Sequence, residues 1–374
     1  MKIVSLHLEN FRTYRKIDLE FNSRLTFITG NNASGKTNIL EALSLLSHGK
    51  SFRGSSDYEM VSDGCSHYYI SSRYDRRNQK HEIEIGCDVS SGKIKRKIKM
   101  DSKVLSGRPA LVGNLISVIF SPADIMIVEG GSSIRRRFLD LVISNQNPDY
   151  LKNLILYNRS LRQRNSILKR IKEKKASAQD LLPWESGISE YAEKITKSRL
   201  DFINKFQEIF QNSLKRISGS RDFVSMDLQL CEKETHPGFK ESLKDVIYKD
   251  ISAGFTTIGP HRHGIYFQID GRDISAYGSQ GQKRSLVLAL RVAQFYYLKE
   301  NLKISPLLLI DDVIKELDKE RRSAFAELLH ESGQAIFTTP DLEGMESFLK
   351  DTKSQIEIIN VNSKGSVLKS QLEN

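Results

Sequence analysis

The sequence predicts an α/β fold whose main lobe is split along the chain by an inserted, mainly helical lobe. Three observations carry this reading. Apolar runs without alternation, Leu25-Thr26-Phe27-Ile28-Thr29 near one end and Leu307-Leu308-Leu309-Ile310 near the other, suit strands buried on both sheet faces. Each is flanked by helical spacing, the alternation of an α/β domain. Between them, residues 135–213 turn helical and strongly basic. The expected division is 1–122 and 251–374 for the two parts of the α/β lobe, with 123–250 inserted.

In chain order, Ile3, Ser5, His7 and Glu9 alternate with Val4, Leu6 and Leu8, which predicts a strand. After a turn at Asn22-Ser23 comes the apolar run that stops at Gly30. Residues 37–47 have helical spacing, with Ile39, Leu40, Leu43 and Leu46 on one side. Residues 67–105 read as antiparallel strands. There Ile94, Ile98 and Met100 share one face with Arg96, and Lys93, Lys95, Lys97 and Lys99 share the other. Four ammonium groups on one face suit either an edge strand guarded against aggregation or contact with phosphates.

The basic stretch follows. Leu151, Leu154, Ile155, Leu161, Leu168 and Ile171 make a helical stripe among Arg159, Arg162, Arg164, Lys169, Arg170, Lys172, Lys174 and Lys175. A second helix is expected over 185–214, with a polar turn at 172–180. Beyond residue 257 the alternation returns: a helix over 286–298, the strand 307–310, a helix over 319–332 and a strand over 335–338.

Composition bounds the function. Of 374 residues, 39% are hydrophobic and 28% charged, so a packed core is expected and wholesale disorder is not. No run approaches the roughly 18 apolar residues of a membrane span, which points to a soluble, cytoplasmic protein. Cys65, Cys87 and Cys231 lie far apart, which argues against disulfides or cysteine-based zinc sites. The net charge of +11 suits a polyanionic partner such as nucleic acid.

Three motifs carry chemistry. Gly30-Asn31-Asn32-Ala33-Ser34-Gly35-Lys36-Thr37 fits G-x-x-x-x-G-K-[ST], the Walker A phosphate loop. Its glycines let backbone N–H groups face phosphate, Lys36 supplies a positive charge, the Thr37 hydroxyl suits Mg²⁺, and the following helix offers its positive end. Asn38 belongs to the same nucleotide-binding segment. The run 307–310 ends in Asp311-Asp312, a Walker B element: Asp311 for Mg²⁺ and Asp312 as the base that orients attacking water. Between these two, Gly278-Ser279-Gln280-Gly281-Gln282 opens a long helix and resembles the signature of ABC-type ATPases. In that superfamily the signature caps the ATP held by a partner subunit. Asp318, in Glu316-Leu317-Asp318, matches the D-loop. Thr338-Thr339-Pro340 stands where a switch histidine is common, so a threonine hydroxyl takes its place.

Taken together, these residues resemble the RecF family, recombination mediators related to the SMC-type ATPases. The resemblance spans nearly the whole chain. It includes Leu8-Glu9-Asn10-Phe11-Arg12, Phe120-Ser121-Pro122, Arg135-Arg136-Arg137-Phe138-Leu139-Asp140, Asn158-Arg159, Gln163-Arg164-Asn165 and Thr256-Thr257-Ile258-Gly259-Pro260-His261-Arg262. Departures are His263-Gly264, Lys315 and Pro340, where the family usually shows an acidic residue, a serine and a threonine.

The resemblance implies an ABC-type P-loop ATPase lobe with an inserted helical lobe. It implies an ATP-dependent homodimer that binds double-stranded DNA and gapped junctions and works with other mediator proteins to load recombinase. The setting would be recombinational repair and replication-fork maintenance, with slow hydrolysis. It also implies a phosphate contact for Arg12 and a Q-loop metal ligand near Phe120-Ser121-Pro122. The basic residues Lys93, Lys95, Lys97, Lys99, Arg135, Arg136 and Arg137 are the candidate DNA contacts. His261 and Arg262 could face either the nucleotide or DNA. The alternatives are a non-hydrolysing structural DNA-binding protein and an ABC-type ATPase subunit of another complex.

Overall fold

The computed structural model describes residues 1–219, 222–231, 238–343, 349, 355–362 and 367–372. The chain forms two compact units. One comprises Met1–Asp124, Ser213–Gly219 and Leu288–Asn374; the other comprises Ile125–Asn212 and Ser220–Val287.

The first unit opens with β1 (Lys2–Phe11), β2 (Tyr14–Glu20), β3 (Leu25–Thr29), α1 (Lys36–His48), α2 (Asp57–Met60), β4 (His67–Arg76), β5 (Gln79–Asp88), β6 (Lys95–Met100), β7 (Lys103–Val104) and β8 (Ser117–Phe120). The second contains α3 (Ile125–Glu129), α4 (Ser132–Gln146), α5 (Pro148–Lys172), most of α6 (Leu182–Ser218), β9 (Val224–Gln229), α7 (Phe239–Asp245), α8 (Ile247–Ala253), β10 (Gly264–Ile269), β11 (Arg272–Asp273) and α9 (Ile274–Tyr277). The helix α10 (Gln280–Leu302) leads back to the first unit, which ends with β12 (Leu307–Asp311), α11 (Lys319–Glu331), β13 (Ala335–Thr338), β14 (Ile356–Val361) and β15 (Val367–Leu372).

Two six-stranded sheets build the first unit. One is antiparallel, in the order β2-β1-β4-β5-β6-β7; the other runs β15-β14-β3-β13-β12-β8, parallel except at β15. Both strands read as continuous apolar runs are buried throughout and sit inside the parallel sheet. Stacking of Phe27 on Phe337 locks β3 to β13, with ring centroids 4.5 Å apart. Helix α1 contacts strands of both sheets, so it is buried nearly all round rather than along one stripe.

Two details depart from the sequence expectations. A bulge between Ile3 and Ser5 in the β1–β4 pairing puts Ile3 in the core with Leu6 and Leu8, off the Ser5 face where strict alternation placed it. In the helical unit Ile155 is exposed, although it fits the apolar stripe.

The helical unit also runs further along the chain than residue 250. Antiparallel pairing of β10 with β9 brings 264–269 into a small three-stranded sheet with 224–229, so the segment up to Val287 folds with the insertion. The unit is held by buried charge. Arg164 is fully buried on α5 and donates to Asp250 Oδ2 (2.6 Å) and Thr256 Oγ1 (2.7 Å). Arg199 on α6 donates to Asp140 Oδ1 (2.8 Å), Tyr150 Oη (3.1 Å) and the Pro260 carbonyl (2.7 Å).

Candidate functional site

The phosphate loop joins the end of β3 to α1. Its turn needs left-handed backbone at Ala33 (φ 63°) and Gly35 (φ 101°). A side chain at Gly35 would stand 2.6 Å from Thr13 Oγ1 and 2.9 Å from Tyr14 Oη, so only glycine fits between the loop and β2. Lys36 is buried and donates to the carbonyls of Gly30 (2.7 Å) and Asn31 (2.9 Å). Burial lowers its pKa, and the nearby Asp312 and Asp311 carboxylates oppose that shift. Asn31, Asn32 and Ala33 are exposed. Ser34 is buried, and its Oγ has no hydrogen-bond partner.

The parallel sheet brings the second motif to the first. One carboxylate oxygen, Asp311 Oδ1, accepts from Thr37 Oγ1 (2.8 Å) and from Thr338 Oγ1 (2.7 Å). The P-loop threonine, the Walker B aspartate and the switch threonine thus converge from α1, β12 and β13. The neighbouring Asp312 is exposed, with φ 53°, a conformation a non-glycine residue adopts at a cost of about 1–2 kcal/mol. Its N–H donates to the Thr338 carbonyl (3.2 Å). Pro340 has a definite role here: its carbonyl accepts from the Gly30 N–H (3.2 Å), tying the segment after β13 to the loop. Lys315, after β12, pairs with Asp341, after β13 (2.5 Å), an ion pair that ties the two segments together.

Arg12 is engaged differently from the expectation. Its guanidinium forks onto Glu41 of α1, Nε to Oε2 at 2.9 Å and Nη2 to Oε1 at 2.7 Å, and Nη1 reaches the Glu59 carbonyl (2.6 Å). Glu41 is fully buried. Sequence reading missed Glu41, although an acid one turn after Thr37 in so apolar a helix implies a buried cation beside it. Asn38 donates to Thr13 Oγ1 (3.0 Å), bracing the loop against β2. No glutamine stands at the end of β8. Ser121 does, and Asp124, held by Arg291 at 2.5 and 3.0 Å, accepts from its N–H (3.0 Å).

The signature turn lies in the other unit, at the start of α10. Ser279 Oγ accepts from the Gln282 N–H (3.2 Å), and Gln282 Oε1 accepts from the Ser279 N–H (3.0 Å), a reciprocal capping box. Because Ser279 Oγ accepts from its own helix, its hydroxyl proton is left to donate outward. Around Gly281 nothing lies closer than 3.9 Å to where a side chain would be. Asp318 caps α11 by accepting from the Arg321 N–H (2.9 Å) and is exposed.

The profile of the RecF/RecN/SMC N terminal domain family matches residues 2–364. A DNA replication and repair protein RecF from Leptospira interrogans is 37% identical over 358 residues, covering 96% of this chain and 97% of its own. The chain belongs to the RecF family. A solved structure described as the recombination mediator protein RecF-ATP in the RecFOR pathway superposes with a TM-score of 0.87 at 31% identity, covering 100% of this chain and 98% of that one. The SMC head domain of Pyrococcus furiosus, at 17% identity and a TM-score of 0.55, shares the fold.

Within this RecF-family chain the expected DNA-contact residues separate. Lys93, Lys95 and Lys97 are exposed; Lys99 is half-buried beside Glu84 (3.4 Å). The arginine block does not act as one patch. Arg135 is buried and donates to the carbonyls of Val128 (3.1 Å) and Gly130 (2.6 Å), which corrects its assignment as a DNA contact. Arg136 donates to the His263 carbonyl (2.6 Å), and Arg137 alone is exposed. Successive helix residues diverge by about 100°, so three consecutive arginines cannot share a face. His261 is an internal brace: Nδ1 meets Tyr157 Oη (2.6 Å), Nε2 meets the Thr256 carbonyl (3.1 Å), and burial lowers its pKa to about 4. Arg262 is exposed and lies over Phe255. On α5, Arg159, Arg162 and Lys169 are exposed at spacings that share one face.

Among the described residues no cluster of three His, Cys, Asp or Glu side chains forms, and no helix is long and apolar enough to cross a membrane. The donor set nonetheless fits Mg²⁺ with a triphosphate. That ion keeps waters and phosphate oxygens and needs only one or two carboxylates. Asp311 and Thr37 offer hard oxygens, and the orphaned Ser34 Oγ offers a buried polar atom beside the loop.

Proposed function

We propose that this chain is a cytoplasmic ATPase that closes as an ATP-dependent homodimer on double-stranded and gapped DNA. The observation that carries the reading is the convergence of Thr37, Asp311 and Thr338 beside a P-loop lysine. It supports a site for a triphosphate with Mg²⁺. Lys36 would exchange its two carbonyl partners for the β and γ phosphates, and Thr37 and Asp311 would hold the cation. Bound Mg²⁺ neutralises phosphate charge. Asp312 orients the attacking water. It is one methylene shorter than the glutamate common in ABC-type ATPases, and displacement of a base by fractions of an ångström slows turnover. Slow hydrolysis suits a timed switch.

In this reading the Ser279–Gln282 turn of a second copy caps the γ-phosphate with its hydroxyl proton and helix end. Asp318 lies across the same interface. Lys93, Lys95, Lys97 and Arg137, with the exposed arginines of α5, supply phosphate contacts along duplex DNA. Recombination mediator proteins are the partners with which the dimer loads recombinase at a gap. Arg12 reaches the nucleotide phosphates when closure frees its guanidinium from Glu41.

Sedimentation with and without a non-cleavable ATP mimic, Mg²⁺ and a gapped duplex tests the reading. A dimer that forms only with the mimic, and retains DNA, supports it; a monomer under all conditions overturns it. Asp312→Asn is expected to prolong the ATP-bound dimer, and an unchanged lifetime removes Asp312 as the base.

A further inference from the structure

The carboxylate of Glu129 stands beside the signature turn. At the end of α3, its Oε1 accepts from Gln280 Nε2 (3.3 Å) and lies 3.5 Å from Lys283 Nζ. Gln280 and Lys283 both belong to the first turn of α10, whose positive helix end draws negative charge. Lys283 is largely buried and Glu129 one third exposed, so this pair is better shielded from solvent than an ordinary surface ion pair. The expected occupant of this helix end is the terminal phosphate of a partner's ATP, and Glu129 places a like charge next to it.

We propose that Glu129 is a positioning residue that sets the threshold for dimer closure. It cancels the Lys283 ammonium and holds Gln280 until a terminal phosphate outcompetes it. The inference rests on the signature role proposed above. Two effects have the same sign. Glu129 repels the incoming triphosphate, and it neutralises a cation that would otherwise attract it. A full terminal phosphate overcomes both, whereas a diphosphate, lacking that charge, does not. The opposite case, a pair that merely stabilises the start of α10, makes loss of the charge neutral or harmful to dimerisation.

The test is dimer affinity by sedimentation equilibrium with a non-cleavable ATP mimic and Mg²⁺, for wild type, Glu129→Gln and Glu129→Asp. Glu129→Gln keeps the hydrogen-bonding shape and removes the charge. It is expected to tighten the dimer roughly five- to tenfold at about 0.05 M salt, with the gain shrinking at about 0.3 M. It should also raise the dimer fraction with ADP. Glu129→Asp keeps the charge and should stay within about twofold of wild type. An equal or weaker Glu129→Gln dimer, with wild type dimerising normally, overturns the role of Glu129 alone. A wild type that fails to dimerise with the mimic overturns the signature reading itself.

Discussion

The two glycine-rich turns of this chain are built for opposite neighbours. In the loop 30–37 three groups are answered from within: Gly35 is walled in by Thr13 and Tyr14, Lys36 by two carbonyls, Thr37 by Asp311. In the turn 278–282 Ser279 and Gln282 cap each other, Gln280 reaches Glu129, and the nearest atom to where a Gly281 side chain would stand is Ser279 Oγ at 3.9 Å. An enclosed glycine serves the chain's own packing. In the function proposed above, one turn is the half of a site that holds the nucleotide and the other the half offered to a second copy.

The sharpest way to break this contrast is Lys36→Met. Removing the charged donor should lower ATP affinity by about 100-fold or more, measured by titration calorimetry, with little change in thermal stability. Retained affinity would mean the enclosed loop is not the phosphate seat. Next come the glycines themselves. Gly35→Ala should cost about 1–3 kcal/mol of stability in a denaturant melt, from strain at φ 101° and overlap with Thr13. Gly281→Ala should leave stability unchanged or slightly raised, since alanine favours a helix by about 1 kcal/mol. It should still weaken the ATP-dependent dimer by about tenfold, because a methyl group intrudes where phosphate approaches. Equal stability losses at both positions would erase the distinction.

Ser279→Ala is a smaller change. Loss of the cap should cost about 1 kcal/mol at the start of α10 and weaken the dimer without touching ATP binding by the isolated chain. A drop in monomer ATP affinity would contradict the assignment in trans.

A further effect concerns pH and should appear in both units. Burial lowers the His48 pKa from 6.5 to about 4, with the Ser117 carbonyl opposing and Arg291 adding to the shift, and burial lowers His261 to about 4 as well. The unfolded chain therefore binds more protons than the native one between pH about 6.5 and about 4. Stability should be level above that window and fall as pH drops through it. Denaturant midpoints at about pH 7.5 and about pH 5 measure the drop, and His48→Gln should reduce it.

What was legible in the sequence was local. The loop, the Walker B strand and the signature announce themselves because their chemistry needs fixed spacing over a few residues, and the strands that carry them are apolar without interruption. What was hidden depends on partners far along the chain. Asp311 meets Thr338 across strand pairing, and Arg164 finds Asp250 only because α8 packs back against α5. The β10–β9 pairing that carries 264–269 into the helical unit leaves no mark in periodicity. Arg135 was misread for a different reason. A basic tripeptide looks like one patch on paper, but a helix turns its members to different surroundings, one of them a set of carbonyls.

The buried Arg164–Asp250 pair has a consequence for how such a protein can change over generations. Losing either member strands a full charge in the interior, at about 3–5 kcal/mol, while Arg164 already leaves its Nε and Nη2 without partners. Neither position can drift by single steps without passing through a crippled ancestor. The two must be exchanged together, most simply for apolar side chains of matching volume, and a redesign that swaps only one should expect a chain that no longer folds.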